Sequence, residues 1–371
     1  MSEWKEYKLG DIVAFGNGKV RPKVLGEIPV YGGNGILDYC NTHNYSEETV
    51  VIGRVGAYCG SVYYENKPIW VSDNALAAKP QNGYNAKFLY YYLTNLRLNE
   101  FAEGSSHPLV TQTLLNSIDV RITSDIAEQE RIAGVLSSLD DKIDLLNRQN
   151  TTLEAMAETL FRQYFIENPK EDWKDGKLGD LIDIRSGYAY KGEYIGCGNS
   201  LLLGMGCVSY NVRFLNNGAR LYAGDCPSGY LSNAGDIVVA TRQQSDNMPI
   251  LGAPAIIPHD LNDRNIIVGT NLYRVKNKSS LSNYCIYLLM RSDDYRNHID
   301  ACSKGSTVKM ITKDSIESFP IMIPSDDYIA EHQDCFNIID KKVINNNYQT
   351  HSLTKLRDTL LPKLMNNEIK L

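Results

Sequence analysis

Trp4-Lys5-Glu6-Tyr7-Lys8-Leu9-Gly10-Asp11-Ile12 recurs as Trp173-Lys174-Asp175-Gly176-Lys177-Leu178-Gly179-Asp180-Leu181, an offset of 169. Further echoes follow in the same order. Val50-Val51-Ile52-Gly53-Arg54 aligns with Val238-Val239-Ala240-Thr241-Arg242 at offset 188, and Asn74 and Tyr90 match Asn271 and Tyr287 at 197. Gly104-Ser105-Ser106 pairs with Gly305-Ser306-Thr307, and Ser124-Asp125 with Ser325-Asp326, both at 201. An offset that only grows is what insertions into a duplicated domain produce; chance matches would scatter.

Each copy ends in a long helical pattern. In the first, Asp125 with Glu128 three residues on reads as a capping box, and Asn168-Pro169 stops the run. Between them Ile132, Leu139, Leu146, Leu153 and Leu160 fill heptad position d, with Leu136, Ile143, Asn150, Ala157 and Tyr164 at a. The second run places Ile339, Asn346, Leu353 and Leu360 at d, with Phe336, Val343, Thr350, Arg357 and Leu364 at a. Four or more heptads indicate a coiled coil, and two such runs in one chain pair most simply with each other. An antiparallel register sets Ile132 on Leu364, Leu136 on Leu360, Ile143 on Leu353, Leu153 on Val343 and Ala157 on Ile339. The same register faces Asn150 with Asn346, a buried amide pair that would fix it, since sliding strands both amides; the competing reading has one or both pointing to solvent. Arg357 falls awkwardly opposite Leu139 and must snorkel, or the seam must bend.

The expected plan is therefore 1–122 globular domain, 123–168 helix, 169–323 globular domain and 324–371 helix. Its fold class is α/β (α+β), duplicated, with a pseudo-two-fold internal repeat and two long antiparallel helices. Val50–Gly53 and 236–240 read as strands, Lys87–Arg97 and Tyr284–Tyr295 as helices. The 371 residues carry 43% apolar and 22% charged side chains, a soluble globular balance. The eight cysteines form no CxxC pair and have no zinc-site spacing, which reads as reduced thiols in the cytoplasm with no metal. The first residues have no signal-peptide core, and no run approaches the ~18 apolar residues of a membrane span.

No catalytic signature is complete. Gly16-Asn17-Gly18-Lys19 lacks the spacing of a phosphate loop, and Gly204-Met205-Gly206 is only a fragment of a dinucleotide fingerprint, so both read as turns. HExxH, GxSxG and the Asp/Asn-Pro-Pro-aromatic motif of adenine methyltransferases are absent. What remains is a set of loops at equivalent places in the two copies. Ile28-Pro29-Val30-Tyr31-Gly32-Gly33-Asn34-Gly35 brings backbone close to a partner at Gly33, with Tyr31 and Asn34 as polar tips. Arg54 and Arg242 can take guanine O6 and N7 bidentately or grip phosphate; the alternative is a structural ion pair. Gln243 and Gln244 can read adenine, or lie in a solvated turn. Ser105, Ser106 and His107 in one copy, and Lys304, Ser306, Thr307 and Lys309 in the other, offer small donors and cations for phosphate, or simply a loop before a strand. Asn74, Tyr188 and Lys191 complete the candidates for DNA binding.

Taken together, the chain resembles the specificity (S) subunit of type I restriction–modification enzymes over its whole length. The resemblance is carried by Lys8-Leu9-Gly10-Asp11, residues 28–35, Ile52-Gly53-Arg54-Val55-Gly56, Trp70-Val71-Ser72-Asp73-Asn74 and Gly104-Ser105-Ser106. Ile126-Ala127-Glu128-Gln129 through Asp140-Asp141-Lys142-Ile143 looks like the family's helix, with Asp340-Lys341-Lys342-Val343 as its second copy. The second helix departs most, carrying Glu331-His332-Gln333 where the family usually has Glu-Gln. The resemblance implies two target-recognition domains at opposite ends of a coiled coil, each reading half of a split double-stranded DNA site. It also implies helices that set the spacer and dock two modification (M) subunits, with two restriction (R) subunits completing the nuclease. On this reading the chain has no catalysis of its own and binds no cofactor: S-adenosylmethionine, ATP and Mg belong to its partners.

Geometry supports a ruler independently. A helix of about 35 residues spans about 50 Å, close to one and a half turns of B-DNA. The net charge of −6 argues against nonspecific DNA coating, but its distribution matters more. Residues 123–168 hold 4 basic against 9 acidic side chains, while 1–122 hold 11 against 12 and 169–323 hold 17 against 16. The acid excess thus sits on one helix, away from near-neutral readers that would need basic partner subunits to hold DNA. Two other classes stay open: a coiled-coil scaffold whose paired domains bind protein or glycan, and an enzyme with an unfamiliar site.

Overall fold

A computed structural model describes residues 4–104, 108–243, 249–261, 263–305 and 308–371. It divides into two compact units, Met1–Leu145 with Thr350–Leu371, and Leu146–Gln349. Both boundaries fall inside the long helices, because each globular part packs with a segment of both. Compactness therefore groups the four expected segments in two.

The repeated opening stretch has one structural meaning in both units. Trp4–Lys8 pairs antiparallel with Asp119–Thr123, and Lys174–Lys177 with Pro320–Ile323. One turn of helix follows at Leu9–Ile12 and Leu178–Leu181. Asp11 and Asp180 accept the backbone N–H of Lys8 (3.2 Å) and Lys177 (2.7 Å), so the carboxylate closes that turn. Leu9 and Leu178 are fully buried. A Cβ on Gly10 would lie 2.6 Å from Asn116 Oδ1, and one on Gly179 3.0 Å from the Glu317 carbonyl, so each glycine sits in tight contact with the element packed against it.

From there each unit builds an antiparallel four-stranded sheet. In the first unit the order is Val13–Asn17, Ala75–Pro80, Thr49–Gly53, Val62–Glu65; in the second it is Ile182–Ser186, Leu272–Asn277, Ile237–Ala240, Pro254–Ile256. Gly16 and Asn17 thus end a strand instead of forming a turn, whereas Met205–Cys207 is a 3-10 turn. The apolar central strands Thr49–Gly53 and Ile237–Ala240 are wholly buried. A helix begins at Ala86 in one unit and Asn283 in the other, capped by Asn85 and Ser282. The helical stretch expected over 284–295 is in fact two helices, Asn283–Leu289 and Asp293–Cys302. Ser292 accepts the Tyr295 N–H (3.2 Å) and caps the second, a start signal that the apolar spacing of Tyr284, Leu288 and Tyr295 conceals.

Ile126–Phe165 and Asp326–Met365 are each 40 residues long, about five more than the pattern indicated and about 60 Å in length. Asp125 accepts the N–H of Ala127 (3.0 Å) and Glu128 (3.3 Å), so it caps the first helix. The reciprocal half of the expected box is replaced: the Asp125 N–H donates to Thr123 Oγ1 (3.2 Å), and Glu128 Oε2 is buried without a partner among the described residues.

The helices pack side by side within each unit. In the first, Ile132, Leu136 and Leu364 share a core, with Leu360 packed against it. In the second, Ala157, Phe161, Phe336, Ile339 and Val343 do so, with Leu153 and Leu160 against them. Leu146 is buried, and Leu139, Ile143 and Leu353 are half-buried. Asn346 is fully buried and donates to Asn150 Oδ1 (2.8 Å), while Asn150 donates to Asn347 Oδ1 (2.8 Å). Tyr328 O–H donates to the Tyr164 carbonyl (3.1 Å), so the second unit's helix segments run antiparallel. Asn346→Ala removes the amide that donates to Asn150 Oδ1 and leaves a void beside it. The expected cost is about 1–3 kcal/mol, read as a lower urea midpoint at unchanged m value; an unchanged midpoint would show that the amide pair contributes nothing.

Arg357 is held by two carboxylates. Its Nη1 donates to Asp140 Oδ1 (2.8 Å), whose other oxygen accepts from Tyr91 O–H (2.6 Å), and Asp358 takes the rest of the guanidinium. Asp340, at the equivalent place in the second copy, is paired with Arg213. The Asp-Asp-Lys-Ile and Asp-Lys-Lys-Val motifs thus each use one carboxylate to tie a globular part to a helix.

Candidate nucleic-acid interface

The candidate residues gather where the strand ends of each unit meet their loops. In the first unit the Arg54 N–H donates to the Asn74 carbonyl (3.0 Å), and the Val110 N–H to the Arg54 carbonyl (2.9 Å). Gly56 N–H donates to Pro108 O (3.2 Å). A Cβ on Gly53 would lie 2.7 Å from the Gly33 carbonyl and 2.4 Å from that of Tyr58, so glycine lets the turn after Tyr31 close on this edge. Asn34 and Asn74 are exposed there, and Arg54 is half-buried with its Nε lacking a partner among the described residues.

The second unit has the same frame. Thr241 N–H donates to the Asn271 carbonyl (3.0 Å), and Ile311 N–H to Thr241 O (3.1 Å). Glu103 bridges Leu109 just as Lys304 bridges Met310, and the glycines that follow, Gly104 and Gly305, hold φ of 91° and 104°, a left-handed backbone that favours glycine. These bonds make Thr241, not Arg242, the counterpart of Arg54. The strands are one residue out of step with the sequence match, and a one-residue slip changes which face a side chain occupies. Arg242 instead begins the two-residue strand Arg242–Gln243, which pairs with Lys309–Met310. It is exposed, beside half-buried Lys309 and one bridge from exposed Lys304. Burial raises the Tyr273 phenol pKa, while the charge of nearby Arg242 works the other way.

Several candidates are spent on structure. Tyr31 is 7% exposed, and its O–H donates to Glu65 (3.2 Å); burial first, then the Glu65 charge, hold this phenol well above its ordinary pKa. Gln243 is 7% exposed, and its Oε1 accepts from the N–H groups of Ile250 (3.1 Å) and Leu251 (3.3 Å), which excludes a solvated turn at that residue and occupies the oxygen that adenine would need. Both sit in strands and both are buried there. Half-buried Tyr188 donates to the Asp225 carbonyl (2.9 Å) and packs on Tyr230, leaving Lys191 exposed beyond it. Ser105, Ser106, His107, Gln244, Ser306 and Thr307 lie outside the described residues.

Sequence reasoning also passed over the loop after Lys19. Lys19 bridges Ser72 in parallel, and its N–H donates to the Val71 carbonyl (3.0 Å), next to the turn that carries Asn74. Tyr188 occupies the same place in the second unit: it bridges Gly269, and its N–H donates to Val268 O (2.7 Å). The opening offset of 169 relates Lys19 to Tyr188 and would have exposed this loop.

Two copies of one mixed α/β domain, each presenting loops on a common backbone frame, together with two long paired helices, define a duplicated recognition protein. The model of the type I restriction modification DNA specificity domain matches residues 1–155 and again 170–355, and the chain belongs to that family. It is 24% identical to the type I restriction enzyme MjaIX specificity subunit of Methanocaldococcus jannaschii, over 89% of this chain and 80% of that one. It is 21% identical to the HindI specificity subunit of Haemophilus influenzae across the full length of both. Its fold is similar to the crystal structure of the type I restriction–modification S subunit from M. genitalium, with a TM-score of 0.62 at 16% identity, covering 98% and 96% of the two chains. No helix among the described residues is long and apolar enough to cross a membrane.

Proposed function

We propose that this chain is the non-catalytic DNA-reading subunit of a cytoplasmic type I restriction–modification complex, with residues 1–122 and 169–323 each reading one half of a split target. One observation carries this: the same backbone hydrogen bonds hold the same loops in both units, while the side chains on them differ. Arg54 answers to Thr241, and Glu103 to Lys304. A shared frame with different side chains is what two different half-sites require, since base edges are distinguished by donor and acceptor pattern. Two modification subunits dock on the helices and supply S-adenosylmethionine chemistry; two restriction subunits supply ATP- and Mg-dependent cleavage. Apolar side chains left exposed on the helices support the docking role: Leu145 and Leu356 in the first unit, Met156 and Ile338 in the second.

The test is a salt series on duplex binding by the chain co-purified with its modification subunit. Binding is expected to weaken steeply as salt rises, each neutralised phosphate adding about 0.9 to the log–log slope, and methyl transfer to adenine to need the partner. Salt-independent binding, or methylation by the chain alone, would contradict the reading.

A further inference from the structure

Residues 19–27 of the first unit, Lys-Val-Arg-Pro-Lys-Val-Leu-Gly-Glu, form an irregular loop whose composition fits neither a core nor an ordinary solvated turn. Val20 is 78% exposed, Val24 59% and Leu25 76%, and no hydrophobic core cluster contains any of them. A lone exposed aliphatic is ordinary; three within six residues, interleaved with Arg21 and Lys23 and preceded by Lys19, make a mixed apolar and basic surface. Glu27 is the only carboxylate in the stretch. Arg21 meets Asp38 at 3.4 Å, but the two side chains are 53% and 40% exposed, so the pair is weak and a phosphate can take the acid's place.

The loop is anchored at both ends. Trp70 Nε1 donates to the Lys19 carbonyl (3.2 Å), and Asn41 N–H to the Val24 carbonyl (3.3 Å). A Cβ on Gly18 would fall 1.7 Å from the Ser72 carbonyl, so the loop springs directly from the turn that carries Asn74. The second unit repeats the anchor and changes the chemistry. A Cβ on Gly187 would fall 2.1 Å from the Gly269 carbonyl, and beyond Tyr188 the loop exposes Tyr190, Lys191 and Tyr194. A fixed root with exchangeable tips is the arrangement of an element that varies with what it reads.

We propose that residues 19–25 are a DNA-contacting arm of the first unit, with Lys19, Arg21 and Lys23 on phosphates and Val20, Val24 and Leu25 against thymine methyl groups in the major groove. This rests on the DNA-reading function proposed above. Positive charge selects the phosphate backbone as partner, apolar contact selects A·T pairs through the methyl group, and the shared root makes the arm continuous with the loops of Arg54 and Asn74.

The test uses the full chain with its modification subunit and selection from a random duplex pool. The loop is exposed, so substitutions there leave the core intact. Lys19→Gln/Arg21→Gln/Lys23→Gln is expected to lower the log–log salt slope by about 2 to 3 without altering either half-site. Val20→Ser/Val24→Ser/Leu25→Ser is expected to relax an A·T preference by roughly tenfold at one or two positions of one half-site, leaving the other unchanged as an internal control. An unchanged slope in the first variant, or two unchanged half-sites in the second, would overturn the arm. Loss of the modification subunit on purification would overturn it too, by making the loop a protein-docking surface. A wild-type complex without sequence preference would instead remove the DNA-reading function itself, and the arm with it.

Discussion

Adding seven residues to each long helix at matching heptad positions is expected to lengthen the preferred spacer by about 3 base pairs and leave both half-sites unchanged. Seven residues add about 10 Å of helix, and base pairs rise 3.4 Å each. A heptad preserves the seam because it returns a helix to within about 20° of its starting face. Three base pairs, by contrast, turn B-DNA by about 100°. The longer protein is therefore expected to find its longer target with lower affinity, since one partner must twist to restore groove phase. Insertion beyond Asn150, toward Phe165, with a matching insertion before Asn346, keeps the amide pair and its 2.8 Å bond together. Sequencing methylated sites from cells carrying the altered chain reads the spacer directly. Changed half-sites with an unchanged spacer would refute the ruler.

Phe336→Ala is expected to lower the stability of the second unit by about 3–5 kcal/mol. Phe336 is fully buried, with its ring edge-on to Phe161 (centroids 5.7 Å apart) and at a steep angle to Phe165 (5.8 Å). It packs the second long helix against the first, in the same cluster as Ile339 and Val343. Removing the ring loses its transfer free energy, opens a cavity and breaks two aromatic contacts of about 0.5–1.5 kcal/mol each. Domains are stable by only about 5–15 kcal/mol, so this one change takes a large share. Hydrogen exchange is the sharper measurement, because it separates the units: protection is expected to fall across the second and hold in the first. A loss below about 1 kcal/mol would show that the helices do not pack through this ring. Asn346→Ala, by comparison, removes a hydrogen bond at the same seam and is expected to cost less.

What the sequence could disclose follows from which physical signals are periodic. The heptads located the seam, and the spacing of Asn150 and Asn346 along two such patterns located their partnership, because a register has few solutions once a and d are assigned. The Leu-Gly-Asp repeat was legible because close backbone approach and a capping carboxylate both demand particular residues. Burial of polar side chains was not legible. Tyr31 and Gln243 look like recognition residues by type, yet both are buried in strands and hydrogen-bonded within the fold, and the identity of a residue does not disclose its face. The Arg54–Arg242 equivalence failed for a related reason: matching letters aligned two strands one residue out of step, and only the bonds to Asn74 and Asn271 corrected it. Arg357 looked misplaced because its partner, Asp140, lies on the other helix and its second neighbour, Tyr91, lies in the globular part. The loop of Val20, Val24 and Leu25 escaped because aliphatic residues in a sequence read as core until a structure shows them exposed.

Mapping methylated adenines across a genome in cells that co-express this chain with its modification subunit tests the central claim most directly. The expected result is one bipartite motif: two short constant half-sites of different sequence, separated by a spacer of fixed length and free composition. A continuous motif, or methylation without sequence preference, would contradict a chain built as two readers on one ruler.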